Sequence, residues 1–466
     1  MGPNVLLVVL DAARRDALEP YGAPPGSTPA LRQLAARGTA LEGVYATGCW
    51  TVPSHSSLFT GLLPRAAGLA QGGSPEVVRP VVERHRERML AEVLRRAGYR
   101  TAGVSANLWV SEASGLGAGF EEFVQIDTGR HEQLHTEGVR GRLRWDVEAV
   151  RGRVDDGAAA ALRAIERLAA QPAQGPFLWF VNLMECHAPY LPPRPYGGAG
   201  ALRRLRVAED ARRHYTMDGI WGACAGTTPV PAATLDRMRP MYAAAIRYMD
   251  DWLARVLELM DAASLLDDTL VIVTSDHGEN LGEAGLISHA ASLDNRLIHV
   301  PLVVAGPGAE TASIASLADL PRLVADAVGL DEHPWHDGPP PGVGIAQFDP
   351  PAAPDDAEAM RSIQGLPAPL QAMMTTPLTC AVAGGLKLLR RGEREELFDL
   401  AADPLELRPL DPAVADGPRA GAVAALREAL DHPAAAYRAA VAASPHPGGD
   451  AEVRELEDRM RLLGYL

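Results

Sequence analysis

The sequence predicts an α/β protein with a mainly parallel central sheet and a small C-terminal α+β subdomain. Short, continuously apolar segments rich in β-branched residues, beginning at residues 4–10, alternate along the chain with amphipathic helical patterns. Strands buried on both faces by crossover helices have this pattern. After a stretch dense in Pro and Gly at residues 332–354, two strand patterns follow each other without a helix between them. This order of elements indicates a parallel sheet covered on both faces, followed by a separate smaller unit.

The predicted helices and strands alternate along the chain. Residues 4–10 form a central strand, and Thr28 with Pro29 begins a helix over 30–37 that Gly38 ends. The later predicted helices lie at residues 53–60, 84–97, 158–170, 241–260 and 418–431. The later predicted strands lie at residues 39–46, 101–106, 177–184, 270–275, 300–305, 381–389 and 395–400.

Three parts follow from this pattern. Residues 1–331 form the catalytic α/β domain, residues 332–354 a linker, and residues 355–466 the C-terminal subdomain. Residues 194–239, rich in Arg and Gly, are expected to be an insertion near the substrate pocket. Its arginines would either bind a second anionic group or form a solvated helix face: Arg203, Arg204, Arg206, Arg212 and Arg213.

Composition limits the classes of partner. The 466 residues carry a net charge of −15, which argues against a protein that neutralises nucleic-acid phosphates or docks on an anionic membrane. An anionic substrate would then need a local electropositive site, and a bound metal ion supplies one. We therefore expect a small molecule as the partner, without nucleic acid or membrane.

Cysteine usage and the N-terminus indicate a cytoplasmic protein. The four cysteines, Cys49, Cys186, Cys224 and Cys380, are widely spaced and form no CxxC pair. They provide neither a disulfide framework nor a thiolate zinc site, which fits a reducing compartment. The apolar residues 5–10 lack the preceding positive charge and the length of a signal peptide.

Polar residues follow several predicted strands where each strand ends. Asp11 follows the first strand, Glu185 and His187 follow the strand at 177–184, and Asp276 with His277 follows the strand at 270–275. Each residue alone is most simply a turn or capping residue. Because the carboxyl ends of parallel strands meet at one edge of a sheet, we expect these side chains to converge.

The converging residue types predict a metal site for a tetrahedral anion. Carboxylates from Asp11 and Asp276, an imidazole nitrogen from His277 and the hydroxyl of Thr51 would hold one divalent ion. A metal-bound alcohol has a lowered pKa and is a nucleophile at neutral pH. The helix that begins near Pro53 would direct free N–H groups at an anion held there. Phosphate and sulfate esters fit such a site.

The chain resembles the sulfatase-like branch of the alkaline phosphatase superfamily over nearly its whole length. Residues 4–11 with Arg14 are similar to the opening strand and metal loop of that family, and residues 51–55 (TVPSH) fall on its nucleophile segment. The strongest block is residues 268–279 (DTLVIVTSDHGE), followed by His289. The resemblance implies an alkaline-phosphatase-like α/β/α sandwich and a metal-dependent hydrolase of phosphoric or sulfuric esters.

Several departures from the family pattern bear on the reaction. Sulfatases carry Cys or Ser at the position of Thr51, which is oxidised to formylglycine, and Arg at the position of His55. Oxidation of a threonine would give a ketone instead. Ala12 replaces the second of two paired aspartates, and Asn107 stands where sulfatases usually have a lysine. These differences disfavour a formylglycine sulfatase.

A threonine nucleophile resembles the phosphodiesterases and phosphoglycerol transferases of the superfamily. The resemblance implies that metal-activated Thr51 attacks a phosphodiester, phosphomonoester or phosphonate ester and forms a covalent phospho-threonine. His187 or His289 would protonate the leaving oxygen. The expected substrate-binding residues are His55, Asn107 and Glu185.

One ion, Mn²⁺ or Zn²⁺ with Ca²⁺ as a further candidate, is the expected cofactor. A second ion would need Glu185, His187 and His289, whose spacing is not that of the two-zinc members. Three alternatives remain: a sulfatase that works without formylglycine, a phosphotransferase that uses an alcohol acceptor, and a non-catalytic member of the family.

Overall fold

The computed structural model describes residues 2–70, 75–126, 138–154, 156–171, 175–198, 200–309, 314–337, 342–352, 357–414 and 417–441. Its strands, in chain order, are β1 Asn4–Leu10, β2 Gly38–Leu41, β3 Arg100–Ser105, β4 Glu122–Gln125, β5 Phe177–Leu183, β6 Thr269–Thr274, β7 Asn280–Leu281, β8 Ile287–Ser288, β9 Leu302–Ala305, β10 Gly344–Phe348, β11 Leu378–Ala383, β12 Leu386–Arg391 and β13 Arg394–Asp399.

The α-helices complete the architecture. They are Pro29–Ala36, Thr51–Thr60, Pro64–Ala67, Pro75–Arg84, Leu90–Arg96, Gly138–Arg151, Gly157–Ala169, Ala201–His214, Met217–Cys224, Ala232–Ala262, Asn295–Ile298, Leu320–Val328, Ala357–Ile363, Ala368–Thr375 and Gly417–Val441. Within the described ranges, no helix combines the length and the apolar character that a membrane span requires.

The central sheet has seven strands in the order β2-β9-β6-β1-β5-β3-β4. β6, β1, β5, β3 and β4 run parallel to their neighbours, whereas β9 and β2 add two antiparallel strands at one edge. A second, antiparallel sheet has the order β10-β11-β12-β13. The predicted fold class, a mainly parallel sheet with a C-terminal α+β unit, is confirmed.

Alternate side chains of β1 enter two separate hydrophobic cores, which makes the domain a three-layer sandwich. Leu6 and Val8 pack into one core, which also contains Trp145, from the helix Gly138–Arg151, and Met249, from the helix Ala232–Ala262. Leu7 and Val9 pack into the other, which contains Phe59 and Val324, from the helices Thr51–Thr60 and Leu320–Val328. The period-two alternation of a strand explains why one apolar run serves both layers.

Three predicted elements differ from the structure. The strand expected at 39–46 ends at Leu41, and the helix expected at 84–97 is divided between the helix Pro75–Arg84, a 3₁₀ turn and the helix Leu90–Arg96. The strand expected at 381–389 is a hairpin, because Gly384 and Gly385 both have positive φ and form the turn between β11 and β12.

The predicted linker and insertion have more structure than expected. β10 lies inside residues 332–354 and pairs with β11, so part of the predicted linker is a strand of the C-terminal sheet, and the domain boundaries stay a prediction. The insertion at 194–239 contains two helices and the start of Ala232–Ala262. Its Arg204 is fully buried and donates to the backbone oxygens of Ala149 and Pro192, which neither alternative for its arginines anticipated.

Candidate metal centre and active site

Four neighbouring parallel strands present their carboxyl ends at one edge of the sheet. Asp276 and His277 follow β6, Asp11 follows β1, Glu185 follows β5 and Asn107 follows β3. The order β6-β1-β5-β3 therefore brings together residues that lie far apart in the sequence.

Asp11, Asp276 and His277 form one fully buried cluster. One potential ligand atom from each lies within 4.8 Å of the others. His277 Nε2 is 3.4 Å from Asp276 Oδ2 and 3.9 Å from Asp11 Oδ1. These three predicted metal ligands are therefore placed as a metal site requires.

The backbone holds these side chains in position. Asp276 Oδ1 accepts hydrogen bonds from the backbone N–H groups of Ala12 (3.2 Å) and His277 (2.9 Å). His277 Nδ1 lies 2.8 Å from the carbonyl oxygen of Gly278, which identifies it as the protonated nitrogen and directs Nε2 towards the carboxylates. Ala12 is held at φ +59°, a left-handed conformation that is uncommon for alanine.

The unsatisfied atoms of this cluster fit a divalent ion. Asp11 Oδ1, Asp276 Oδ2 and His277 Nε2 are buried and have no hydrogen-bond partner among the described residues. Burial, together with the neighbouring Asp11, raises the pKa of Asp276 well above its ordinary value. Two carboxylates and an imidazole, with their free lone pairs directed at one another, are a donor set that Mn²⁺ or Zn²⁺ binds.

The hydroxyl of Thr51 lies beside this cluster. Thr51 is buried at the start of the helix Thr51–Thr60. Asn107 Nδ2 donates to Thr51 Oγ1 (3.1 Å) and also to Asp11 Oδ2 (2.7 Å). Asn107 Oδ1 accepts from the backbone N–H of Trp109, which fixes the orientation of the amide. One amide group therefore links the predicted nucleophile to a predicted metal ligand.

His55 lies on the same helix, one turn beyond Thr51. Its Nδ1 is 3.1 Å from the carbonyl oxygen of Thr51 and 3.5 Å from Asp276 Oδ2. Burial lowers the pKa of His55 to about 4. The arginine that sulfatases place here is thus replaced by an imidazole whose burial favours the neutral form.

His187 and His289 meet above His277. The ring centroids of His187 and His289 are 4.8 Å apart, and those of His277 and His289 are 4.4 Å apart. His289 Nδ1 is 3.3 Å from Glu279 Oε1. Burial, reinforced by His277, lowers the pKa of His289 well below its ordinary value.

Glu185 makes a hydrogen bond to the backbone of a neighbouring helix. Its Oε1 accepts a hydrogen bond of 2.6 Å from the backbone N–H of Ala158, at the start of the helix Gly157–Ala169. This contact caps a helix on one face of the sheet. A role for Glu185 in substrate or second-metal binding stays a prediction.

Comparison with known families identifies the family of this chain. The profile of the Sulfatase family matches residues 3–330. The chain belongs to the sulfatase family. The resemblance inferred from the motifs is confirmed, and the chain is a sulfatase-family hydrolase.

Individual relatives of this sulfatase-family chain are distant in sequence. It is 26% identical over 454 residues to the choline-sulfatase of Rhizobium meliloti, covering 90% of this chain and 83% of that protein. It is 24% identical over 360 residues to the multifunctional alkaline phosphatase superfamily protein PehA of Trinickia caryophylli, covering 66% of this chain and 68% of that protein.

Solved structures share the fold. The phosphonate monoester hydrolase of Agrobacterium radiobacter superposes with a TM-score of 0.63 at 21% identity, covering 93% of this chain and 96% of that one. A putative sulfatase from Bacteroides thetaiotaomicron gives a TM-score of 0.66 at 15% identity, covering 97% of this chain and 96% of that one. At these identities the comparisons establish the alkaline-phosphatase-like fold.

Two further residues of this sulfatase-family site escaped sequence reasoning. Asn182 Nδ2 is 3.3 Å from Asp11 Oδ2 and 3.4 Å from His55 Nε2. Glu279 is buried beside His289, and burial raises its pKa to about 8. Asn182 is a lone polar residue in an apolar strand and Glu279 follows His277 by two positions. These two positions are the features of the sequence that could have identified Asn182 and Glu279 as site residues.

Proposed function

We propose that this sulfatase-family chain hydrolyses a phosphorus ester with Thr51 as the nucleophile. The observation that carries the proposal is the Asn107 amide, which donates both to Thr51 Oγ1 and to Asp11 Oδ2. It places the hydroxyl at the edge of the Asp11–Asp276–His277 cluster. A divalent ion held by that cluster would neutralise anionic oxygens and lower the pKa of a nearby hydroxyl.

The first half-reaction forms a covalent ester on the protein. The Thr51 hydroxyl loses its proton to solvent, and Oγ1 forms a bond to phosphorus. The bond between phosphorus and the leaving oxygen breaks, and that oxygen takes a proton from a histidine. Asn107, already within hydrogen-bond distance of Oγ1, is placed to hold a phosphoryl oxygen as the ester forms.

The second half-reaction restores Thr51. A water molecule attacks phosphorus from the side that the leaving group has vacated, and the bond between phosphorus and Oγ1 breaks. Thr51 recovers a proton, and the phosphorus acid leaves. If an alcohol attacks in place of water, the same steps give phosphotransfer.

His187 is our choice for the group that protonates the leaving oxygen. Burial and the neighbouring His277 disfavour the protonated form of His289, which makes His289 a poor proton donor. His289 would then bind the ester oxygens through its second nitrogen. The Glu279 carboxyl near His289 Nδ1 orients that ring.

Sulfate-ester hydrolysis is the second candidate. Choline-sulfatase is among the relatives, whereas a phosphonate monoester hydrolase, which acts on a phosphorus ester, is among the solved structures that share the fold. Thr51 favours phosphorus, because a sulfatase of this family needs the formylglycine that threonine cannot provide. We infer that a phosphodiester, phosphomonoester or phosphonate ester is the preferred substrate.

The test compares matched p-nitrophenyl esters: phosphate monoester, phosphate diester, phosphonate and sulfate. Chelator-treated protein would be assayed with Mn²⁺, Zn²⁺ or Ca²⁺ added back. We expect metal-dependent turnover of at least one phosphorus ester above that of the sulfate. Thr51→Ala should lower this turnover by at least about 1000-fold, the loss expected when an essential nucleophile is removed.

A matched hydroxyl control lies on the same helix. Ser57 is buried and its Oγ has no partner among the residues described, so Ser57→Ala removes a hydroxyl without touching the site. Turnover by Ser57→Ala should stay within about twofold of that by the unsubstituted chain. Faster turnover of the sulfate, or near-normal turnover by Thr51→Ala, would contradict the proposal.

A further inference from the structure

The helix Gly138–Arg151 has an apolar outer face. Its buried residues are Gly141, Trp145 and Ala149, which point into the domain. Val139, Leu143 and Val147 lie on the opposite face at a spacing of four residues, and their exposures are 83%, 62% and 36%. Most surface helices direct their apolar stripe inwards, whereas this one has a second stripe in solvent.

Arginines surround this outer stripe. Arg140, Arg142, Arg144 and Arg151 are all exposed on the same helix, and they outnumber its two half-buried carboxylates, Asp146 and Glu148. Only Arg151 has an ion pair, 3.5 Å from Glu148, within the part of the chain that the structure describes. A chain with a net charge of −15 therefore carries a locally cationic surface here.

The neighbouring helix extends the same composition. The helix Ala201–His214 packs against the first one, with Trp145 Nε1 donating to the backbone oxygen of Ala208 at 3.1 Å. Its Leu202 is 62% exposed, and Arg203 and Arg206 are exposed without an ion pair to the described residues. We call the outer residues of these two helices the Arg/Leu surface: Val139, Arg140, Arg142, Leu143, Arg144, Val147, Leu202, Arg203 and Arg206.

We propose that the Arg/Leu surface docks on an anionic phospholipid surface. Aliphatic side chains bordered by arginines match the interface between acyl chains and anionic headgroups. The charge of the whole chain predicted no such attraction. The net charge is a sum over the whole surface, whereas these arginines are concentrated on one face.

Two other partners fit this surface less well. A symmetric dimer through the same face would bring the arginines of both copies together, which repels. A nucleic acid would complement the arginines, but its backbone offers nothing to the exposed Val139 and Leu143. An anionic lipid surface satisfies both parts of the composition.

The test is flotation of the full chain with phosphatidylcholine vesicles that contain or lack phosphatidylglycerol. The unsubstituted chain should float with the anionic vesicles and not with the neutral ones. Arg140→Gln/Arg144→Gln should weaken partitioning roughly thirty-fold, since each arginine near such a surface contributes about 1 kcal/mol. Leu143→Ser/Val147→Ser should weaken it roughly ten-fold through lost apolar burial.

The matched control removes the same charge elsewhere. Arg37 and Arg394 are exposed; Arg37 directly precedes β2, and Arg394 is the first residue of β13. Because both lie outside the Arg/Leu surface, Arg37→Gln/Arg394→Gln should float like the unsubstituted chain. All variants change exposed residues, so their unfolding temperatures and their turnover of a water-soluble ester should be unchanged. Flotation needs no catalysis, so its result stands apart from that of the Thr51 test.

Four results would overturn the proposal. The first is no flotation of the unsubstituted chain with anionic vesicles. The second is equal loss of flotation in the Arg37→Gln/Arg394→Gln control. The third is normal flotation of Leu143→Ser/Val147→Ser, which would leave charge alone as the cause. The fourth is a dimer that the surface variants dissociate.

Discussion

Two buried groups of ionisable residues differ in how their charges are paired. In the first, Asp11, Asp276 and His277 face one another with three unpartnered ligand atoms. In the second, Lys387 of β12 is fully buried, and its Nζ donates to Glu406 Oε2 (2.6 Å) and to the backbone oxygen of Leu293. Glu406 Oε1 in turn accepts from the backbone N–H of Asn295.

The difference separates a structural ionic group from a functional one. Lys387 and Glu406 compensate each other and connect the C-terminal sheet to residues 293–295 of the catalytic domain. The two aspartates crowd carboxyl groups into a buried place where negative charge is costly, and a bound cation would relieve that cost. Breaking the Lys387–Glu406 pair should therefore destabilise the protein, whereas relaxing the Asp11–Asp276–His277 cluster should stabilise the metal-free form.

The largest effect should come from Lys387→Met. The substitution leaves the Glu406 carboxylate buried without its partner, and breaking a buried pair costs about 3–5 kcal/mol. Urea unfolding monitored by circular dichroism gives the free energy of unfolding. Lys387→Met/Glu406→Gln should recover at least half of the loss, because both charges are then absent. A single variant as stable as the unsubstituted chain would contradict the compensation argument.

Metal addition should act on the other group. Free Mn²⁺ at about 100 times its Kd should raise the free energy of unfolding of chelator-treated protein by about 2.7 kcal/mol. The reason is that only the folded chain assembles Asp11, Asp276 and His277. Asp276→Asn should remove most of this increment, and Lys387→Met should keep it. Thermal unfolding with and without Mn²⁺ measures both, and an equal increment in Asp276→Asn would show binding elsewhere.

The sequence could predict the first group but not the second. Asp11, Asp276 and His277 each follow an apolar strand, and strand ends of a parallel sheet converge by rule. Lys387 lies in a strand that was predicted without its neighbouring turn, and Glu406 lies in a loop. Their pairing depends on how the C-terminal sheet packs, which no local pattern encodes.

The dependence on packing also explains why the sequence analysis named Glu185 and missed Asn182. Both lie at or just beyond the end of β5, and the sequence analysis named Glu185 and not Asn182. Asn182 lies within β5 and points to the Asp11 side, whereas Glu185 lies in the turn after β5 and reaches the backbone of Ala158. The residue types alone could not reveal which face the last residues of β5 present.

A matched pair of Asp-to-Asn substitutions sharpens the comparison, beginning with Asp294. Asp294 belongs to the compensated region and accepts hydrogen bonds from Arg296 Nε (2.8 Å) and Asn280 Nδ2 (3.0 Å). Asp294→Asn should cost about 2 kcal/mol at neutral pH, because hydrogen bonds to a charged group are lost. Urea unfolding at a series of pH values measures this cost.

The pH dependence of that cost has a definite sign. Burial raises the pKa of Asp294, but the charge and hydrogen bond of Arg296 outweigh it, and the net pKa lies below its ordinary 3.8. Such a carboxylate stabilises the folded state above the unfolded pKa, and this contribution is lost as the pH falls through the native pKa. The difference between Asp294→Asn and the unsubstituted chain should therefore shrink below about pH 4. If the difference in free energy of unfolding between Asp294→Asn and the unsubstituted chain grew on acidification, the prediction would be contradicted.

The smallest effect, and the one of opposite sign, should come from Asp276→Asn without metal. An asparagine keeps an oxygen for the Ala12 and His277 N–H groups but removes a charge that faces Asp11. In chelator the variant should be more stable by about 1 kcal/mol, as expected where a site keeps an unfavourable arrangement for function. The same chemical change thus stabilises at Asp276 and destabilises at Asp294, and urea unfolding of both variants in one buffer tests it. If Asp276→Asn also destabilised the protein in the presence of a chelator, other groups of the chain would already compensate the negative charge of Asp11 and Asp276. The cluster would then have no need of a cation.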